Sequence, residues 1–302
     1  AAGFWGRTGH PGVTSGKNRR AGLTGRQTAR WDGICLDAQD LLLLPLGFAV
    51  GAFGTLVGAG GGFVLVPVLL LLYPDKEAQT ITAMSLFVVM ANAISGTVAY
   101  ARQRRIDYRS GAWFAASTLP GAIAGAIVVG YIPRRAFDAG FACVLGAIGL
   151  FLLLRRSPQG IVEPVTGRGV VRRRLTDADG NTFSYAFKMQ RGVVLSGGIG
   201  FLSSLLGIGG GIIHVPVMAT VLHFPIHIAA ATSQFVLTFM AAEGTAVHFA
   251  TGTLHWDNAL ARAALLAAGA IPGAQAGAWL SRRVHGGVIL RVLAGALIVV
   301  AL

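Results

Sequence analysis

Charge is scarce in this chain. Asp, Glu, Lys and Arg make up 12% of its 302 residues, against about 25% in a soluble domain. That shortage excludes a soluble globular fold as the main architecture. A bilayer is the solvent that suits 54% hydrophobic residues and a mean hydropathy of +0.64. Cysteine is nearly missing too. Cys35 lies in a polar tail and Cys143 in an apolar run, so they give no disulfide framework and are expected as unpaired thiols. There is no G-x-S-x-G, H-E-x-x-H or Walker A sequence, which leaves the common hydrolase, zinc-protease and ATP-pump readings without support. The first 40 residues lack an apolar core, so they do not form a secretory signal peptide.

What charge there is has one sign and few places. The net charge is +13, with six Lys/Arg against three Asp in residues 1–40 and eight Lys/Arg against three acids in 155–191. Arg102, Arg104, Arg105 and Arg109 form a third cluster in a short connection. No basic face interleaved with aromatics accompanies them, so nucleic acid is not an expected partner. Basic segments between membrane helices set orientation instead.

Glycine, by contrast, is abundant, with 43 residues, and the informative ones come in two clusters. Gly58-Ala59-Gly60-Gly61-Gly62 runs on to Val66-Pro67-Val68, and Gly207-Ile208-Gly209-Gly210-Gly211 runs on to Val215-Pro216-Val217. Seven of these eleven positions are identical. The match continues: Ser85-Leu86-Phe87 pairs with Ser233-Gln234-Phe235, Gly96-Thr97 with Gly244-Thr245, and Pro120-Gly121-Ala122 with Pro272-Gly273-Ala274. One membrane unit has been used twice.

The expected organisation is a polar, basic tail at 1–40 with little order before about residue 38, a first repeat at 41–154, a basic linker at 155–191 and a second repeat at 192–302. Residues 41–73 form one apolar run, about 50 Å long if helical, against a hydrocarbon core of about 30 Å. It must break, and the glycine cluster is where helix propensity is lowest. If 41–73 makes one net crossing, the tail, the 102–109 connection and the linker share one side, as basic segments should. The expected fold is therefore an all-α polytopic membrane protein of two tandem repeats. Each makes about four net crossings, and Gly-broken or re-entrant segments meet at a central site. Both termini are expected in the cytoplasm.

A Gly-rich turn that opens a helix leaves backbone N–H groups unpaired at the positive end of the helix dipole, which suits an anion. In lipid, such backbone is tolerated only where it is buried in protein or lines a cavity. Paired Gly-interrupted segments in two halves point to a transporter's binding site. The candidate substrate contacts are Gly58, Gly60, Gly61 and Gly62 with Ser85, and Gly207, Gly209, Gly210 and Gly211 with Thr232, Ser233 and Gln234. The reading of the same residues as close helix packing stays open beside this. Ionisable groups inside membrane spans are functional candidates by default, so Glu243, His214 and His248 are the candidates for proton coupling. No metal site or cofactor is expected; His223 and His227, with Pro225 between them, are weak evidence for one.

The doubled G-x-G-G-G-x4-P motif, the Thr232-Ser233 pair after a Pro-containing loop and Gly252-Thr253-Leu254-His255-Trp256 resemble the TauE/SafE family over nearly all of residues 41–302. The resemblance implies a permease of about eight helices, built by duplication, that moves sulfite or organosulfonate-type anions, commonly outward, across the inner membrane. Two departures bear on substrate choice. Ala83-Met84-Ser85 replaces the family's Gly/Ala-Thr-Ser pattern, and His214 stands at a position that is usually apolar. The partners implied are a small sulfur-containing anion, the lipid bilayer, protons and, as an alternative to a monomer, a homodimer. The competing function is a membrane-embedded enzyme or metal-binding protein that uses His214, Glu243 and His248.

Overall fold

The computed structural model describes residues 29–31, 34–36, 38–154 and 169–301. Among them, helices α1 (Leu43–Val57), α2 (Gly62–Leu72), α3 (Ala78–Arg102), α4 (Tyr108–Val128) and α5 (Arg134–Leu154) form a first set. Helices α6 (Met189–Leu206), α7 (Gly211–Thr220), α8 (Ile226–Ala250), α9 (Asn258–Ser281) and α10 (Gly286–Ala301) repeat it in order. Strands are confined, among these residues, to two antiparallel pairs: β1 (Ala29–Trp31) with β2 (Ile34–Leu36), and β3 (Val170–Thr176) with β4 (Thr182–Lys188). The chain is an all-α polytopic membrane protein. Among the described residues, five helical spans are long and apolar enough to cross a bilayer: Asp40–Val57, Ala78–Arg102, Tyr108–Tyr131, Arg134–Leu154 and Asn258–Ser281.

The 41–73 run breaks at its glycines. Helix α1 ends where Gly58 turns to φ +79°, and α2 opens on Gly61 at φ +84°. The second half does the same, with Gly207 at +69° and Gly210 at +72°. All four are left-handed conformations that a side chain disfavours. The pieces that follow, 11 and 10 residues long, reach only about 15 Å, half the hydrocarbon thickness.

The halves are interleaved. Helix α1 packs along α9 and its counterpart α6 along α4, while α3 packs on α8 and α5 on α10. Exchanging the halves leaves this set of contacts unchanged. The long seams are made by small residues. A Cβ on Gly269, Gly273 or Gly277 of α9 would strike the carbonyl oxygen of Leu44, Phe48 or Ala52, and one on Gly121 or Gly125 of α4 that of Gly197 or Phe201. In a bilayer, where apolar burial drives little, such close backbone approach supplies the attraction between helices. Leu71, Leu154, Val194 and Val299 remain exposed on the outside, where lipid is their favourable surrounding.

Of the tail expected at 1–40, residues 1–28 lie outside the described residues, and so do 155–168 of the linker. The rest of the linker folds into the β3–β4 hairpin, which docks on the end of the helical body. Tyr185 and Phe187 pack on Phe224 with centroids 4.5 and 4.7 Å away, and Phe187 also meets Phe114. Asp177 at the hairpin tip accepts from Arg105 at 2.9 Å, both side chains nearly solvent-free. Asp179 pairs with Arg282, and Ala178 N donates to Gln103 O. Burial raises the Asp177 pKa, but the hydrogen bonds from Arg105 and Asn181 outweigh it and hold the carboxyl below its usual range.

Candidate substrate site

The two glycine turns meet back to back. A Cβ on Gly62 would stand 2.8 Å from the Gly207 and Ile208 oxygens, and one on Gly211 2.5 Å from Gly58 O. Every residue of both clusters is buried. Each half also reaches across to brace the other's turn: Ser85 Oγ donates to Gly207 O at 2.7 Å, and Ser233 Oγ donates to Gly58 O at 3.0 Å. These two hydroxyls reach the turns, and their protons are committed to carbonyls rather than left for a substrate.

The amides are different. In the first turn the N–H groups of Ala59 and Gly60 bond to Gly54 O, and in the second Ile208 N bonds to Ser203 O and Gly211 N to Gly209 O. The amides of Gly61, Gly62 and Phe63, and those of Gly209, Gly210 and Ile212, have no acceptor among the described residues. Apart from that of Gly209, which precedes the α7 N-cap, they are the first-turn donors that any helix leaves over, and here they belong to buried residues.

Around the first turn the side chains close a network. Asn92 Nδ2 donates to Gly60 O at 3.1 Å, and Thr55 Oγ1 donates to Asn92 Oδ1 at 3.2 Å. Tyr100 OH donates to Thr55 O at 2.8 Å, and Gln234 Nε2 reaches Thr55 Oγ1 at 3.2 Å. Thr232 serves elsewhere, accepting from Asp107 N at 3.1 Å and so tying α8 to the connection under the hairpin.

Around the second turn the same positions are Ser204, Met240, Leu86 and His248, and no network forms. The hydroxyls of Thr82, Ser203, Ser204 and Thr245 and both ring nitrogens of His248 are buried without a partner. Thr82 lies against Gly207, Ser203 against Gly210 and Ser204 near Gly244. The sequence drew no attention to Ser203 and Ser204, which sit inside an apolar run. Their signal was the repeat itself, because they align with Gly54 and Thr55.

The coupling candidates lie on α7 and α8. His214 Nε2 meets Ser196 Oγ at 3.1 Å, while Glu243 is half-buried on α8 with Oε2 unpaired. Among the described residues no three His, Cys, Asp or Glu side chains gather closely enough to hold a metal ion.

A family model described as Sulfite exporter TauE/SafE matches residues 43–302. Among curated proteins, the chain is 32% identical over 266 residues to the probable membrane transporter protein YunE of Bacillus subtilis, covering 86% of this chain and 95% of that protein. It is 27% identical to the probable membrane transporter protein MJ0441 of Methanocaldococcus jannaschii, covering 73% and 78%. A probable membrane transporter protein of Haemophilus influenzae is 26% identical, covering 59% and 60%. No solved structure matches the chain.

Proposed function

Because the chain belongs to the sulfite exporter TauE/SafE family, we propose that it is a secondary permease carrying sulfite or a related organosulfonate-type oxyanion outward across the inner membrane. Its similarity to proteins named as membrane transporters supports transport rather than catalysis. The observation that carries the anion is the meeting of α2 and α7, two buried helix starts with three unpaired amides each. A buried N–H without an acceptor costs about 1–3 kcal/mol, and an oxyanion seated there offsets that cost. Each helix start also contributes about half a positive charge. The negative ends of α1 and α6 lie at the same turns and offset part of that charge, so the site suits a weakly charged oxyanion such as hydrogen sulfite or a sulfonate rather than a dianion. Neither Lys nor Arg occurs within α1, α2, α7 or α8, so amides and dipoles take the place of a cation.

In this reading Ser85 and Ser233 hold the turns in shape, and Glu243 is the proton carrier. The basic linker and tail place both termini on the cytoplasmic side. Counterflow of radiolabelled sulfite and methanesulfonate in proteoliposomes tests the function. Exchange stimulated by internal unlabelled substrate is expected, and its absence for both anions refutes the proposal. For coupling, Glu243→Gln should abolish pH-driven net transport while sparing exchange. Equal loss of both would make Glu243 a structural carboxyl.

A further inference from the structure

The two turns share a backbone but differ in what lies against them. In the first, Gly54 lies directly on the turn: a Cβ there would meet Gly61 Cα at 2.5 Å and Gly60 C at 2.7 Å. The aligned residue in the second half is Ser203, whose side chain stands between α6 and Gly210. The Ser203 hydroxyl, fully buried and without a partner, thus stands against Gly210, in a turn whose Gly209, Gly210 and Ile212 amides are unpaired. The covering residue differs as well. Asn92 bonds the first turn shut through Gly60 O, whereas the aligned Met240 lays only its methyl, Cε, against Gly210, 2.6 Å from where a Cβ would stand. A thioether on three rotatable bonds moves aside at little cost. A hydrogen-bonded amide does not.

We propose that the anion is held at the second turn alone, as a deepening of the permease reading above and resting on it. Its oxygens accept from the Ser203 hydroxyl and the free amides of Gly209, Gly210 and Ile212, and Met240 is the cover that swings off to admit it. Thr82, whose hydroxyl has no partner, packs its Cα and methyl against Gly207. The first turn contributes the α2 dipole and a rigid, bonded wall. The ligand class follows from the donors: a small oxyanion with several acceptor oxygens on one atom, since hydroxyl and amide donors converge and acceptors are few. Sulfite and methanesulfonate both fit. Halide, with no directional oxygens, makes poorer use of the set.

The test compares sulfite binding by the purified full chain in detergent with that of two variants, each also followed by thermal melting. Ser203→Ala should weaken sulfite about tenfold or more, the loss of one hydrogen bond to a charged group. Met240→Asn should rebuild the first half's arrangement, with its amide on Gly209 O and Ser204 Oγ. It is expected to raise the melting temperature and abolish sulfite binding, a pairing that a misfolded variant cannot give. Wild-type affinity in either folded variant overturns the assignment to the second turn, yet leaves the permease standing if the wild type exchanges sulfite. A wild type that binds neither sulfite nor methanesulfonate overturns both.

Discussion

Position for position, the surroundings of Gly60 and Gly209 are built on one plan and finished differently. Around Gly60, Thr55, Asn92, Tyr100 and Gln234 form a continuous set of hydrogen bonds. Around Gly209 the aligned residues are Ser204, Met240, His248 and Leu86, and the polar ones among them have no partner. A duplication supplies symmetric backbone. Both turns keep three unpaired amides, but divergence of a handful of side chains braces the shell around one and leaves the hydroxyls around the other without partners. The connections at the helix ends diverge in the same sense. The α3–α4 connection is clamped by the hairpin through Asp107, whose carboxylate accepts from Tyr185 at 2.9 Å. The α8–α9 connection caps α9 with Asp257 and leaves Trp256 exposed.

The sharpest break of this comparison comes from matched glycines. Gly61→Ala puts a Cβ 2.7 Å from Val50 O, a backbone atom that cannot retreat, at a left-handed φ. Gly210→Ala meets the movable ends of Met240 and Ser203 instead. The left-handed conformation costs an alanine about 1–2 kcal/mol at either site, and only the first adds a backbone clash. Gly61→Ala is therefore expected to lose most folded protein. Gly210→Ala should keep its yield and lose sulfite binding, as read by monodisperse yield beside bound radiolabel.

Next in size is the clamp. Asp177→Asn removes the charge opposite buried Arg105 and should cost roughly 3 kcal/mol of hairpin docking, seen as faster hydrogen exchange over residues 170–188 with the α8–α9 connection unchanged. The same carboxyl gives a pH signature. Its folded pKa lies below the unfolded value, so its contribution is complete above about pH 4 and fades only as pH falls through the folded value. Docking that loosened between pH 6 and 8 would show that another group controls it.

The smallest effect should be the most symmetric. Ser85→Ala and Ser233→Ala each remove one brace to the opposite turn. Each should lower stability by about 1 kcal/mol, with melting shifts alike. A large inequality would mean that the two turns are not held in the same way.

Much of this was legible in the chain. The duplication, the break at each glycine cluster and the arrival of Ser85 and Ser233 at the turns follow from spacing and from helix propensity. What spacing does not give is the acceptor. A serine announces a donor, but whether its proton goes to a carbonyl or to a ligand depends on the facing half, and both halves here turn their carbonyls toward it. Ser203 and Ser204 were hidden because two small hydroxyls inside an apolar run look like packing, and only their alignment with Gly54 and Thr55, where Ser203 departs from a glycine, marks them. The hairpin was masked by charge. Val170–Thr176 and Thr182–Lys188 flank Asp177-Ala178-Asp179-Gly180-Asn181, a strong turn sequence, yet its arginines drew the segment toward the role of an orienting linker.

The most direct measurement is a crystal of the wild-type protein soaked in selenite, which has the shape and charge of sulfite, with diffraction recorded at the selenium absorption edge. One anomalous peak is predicted, within hydrogen-bond reach of Ser203 Oγ and the amides of Gly209 and Gly210, with Met240 displaced. A peak at Gly60–Gly61, one on the pseudo-symmetric midline between the turns, or none at either turn would contradict the account.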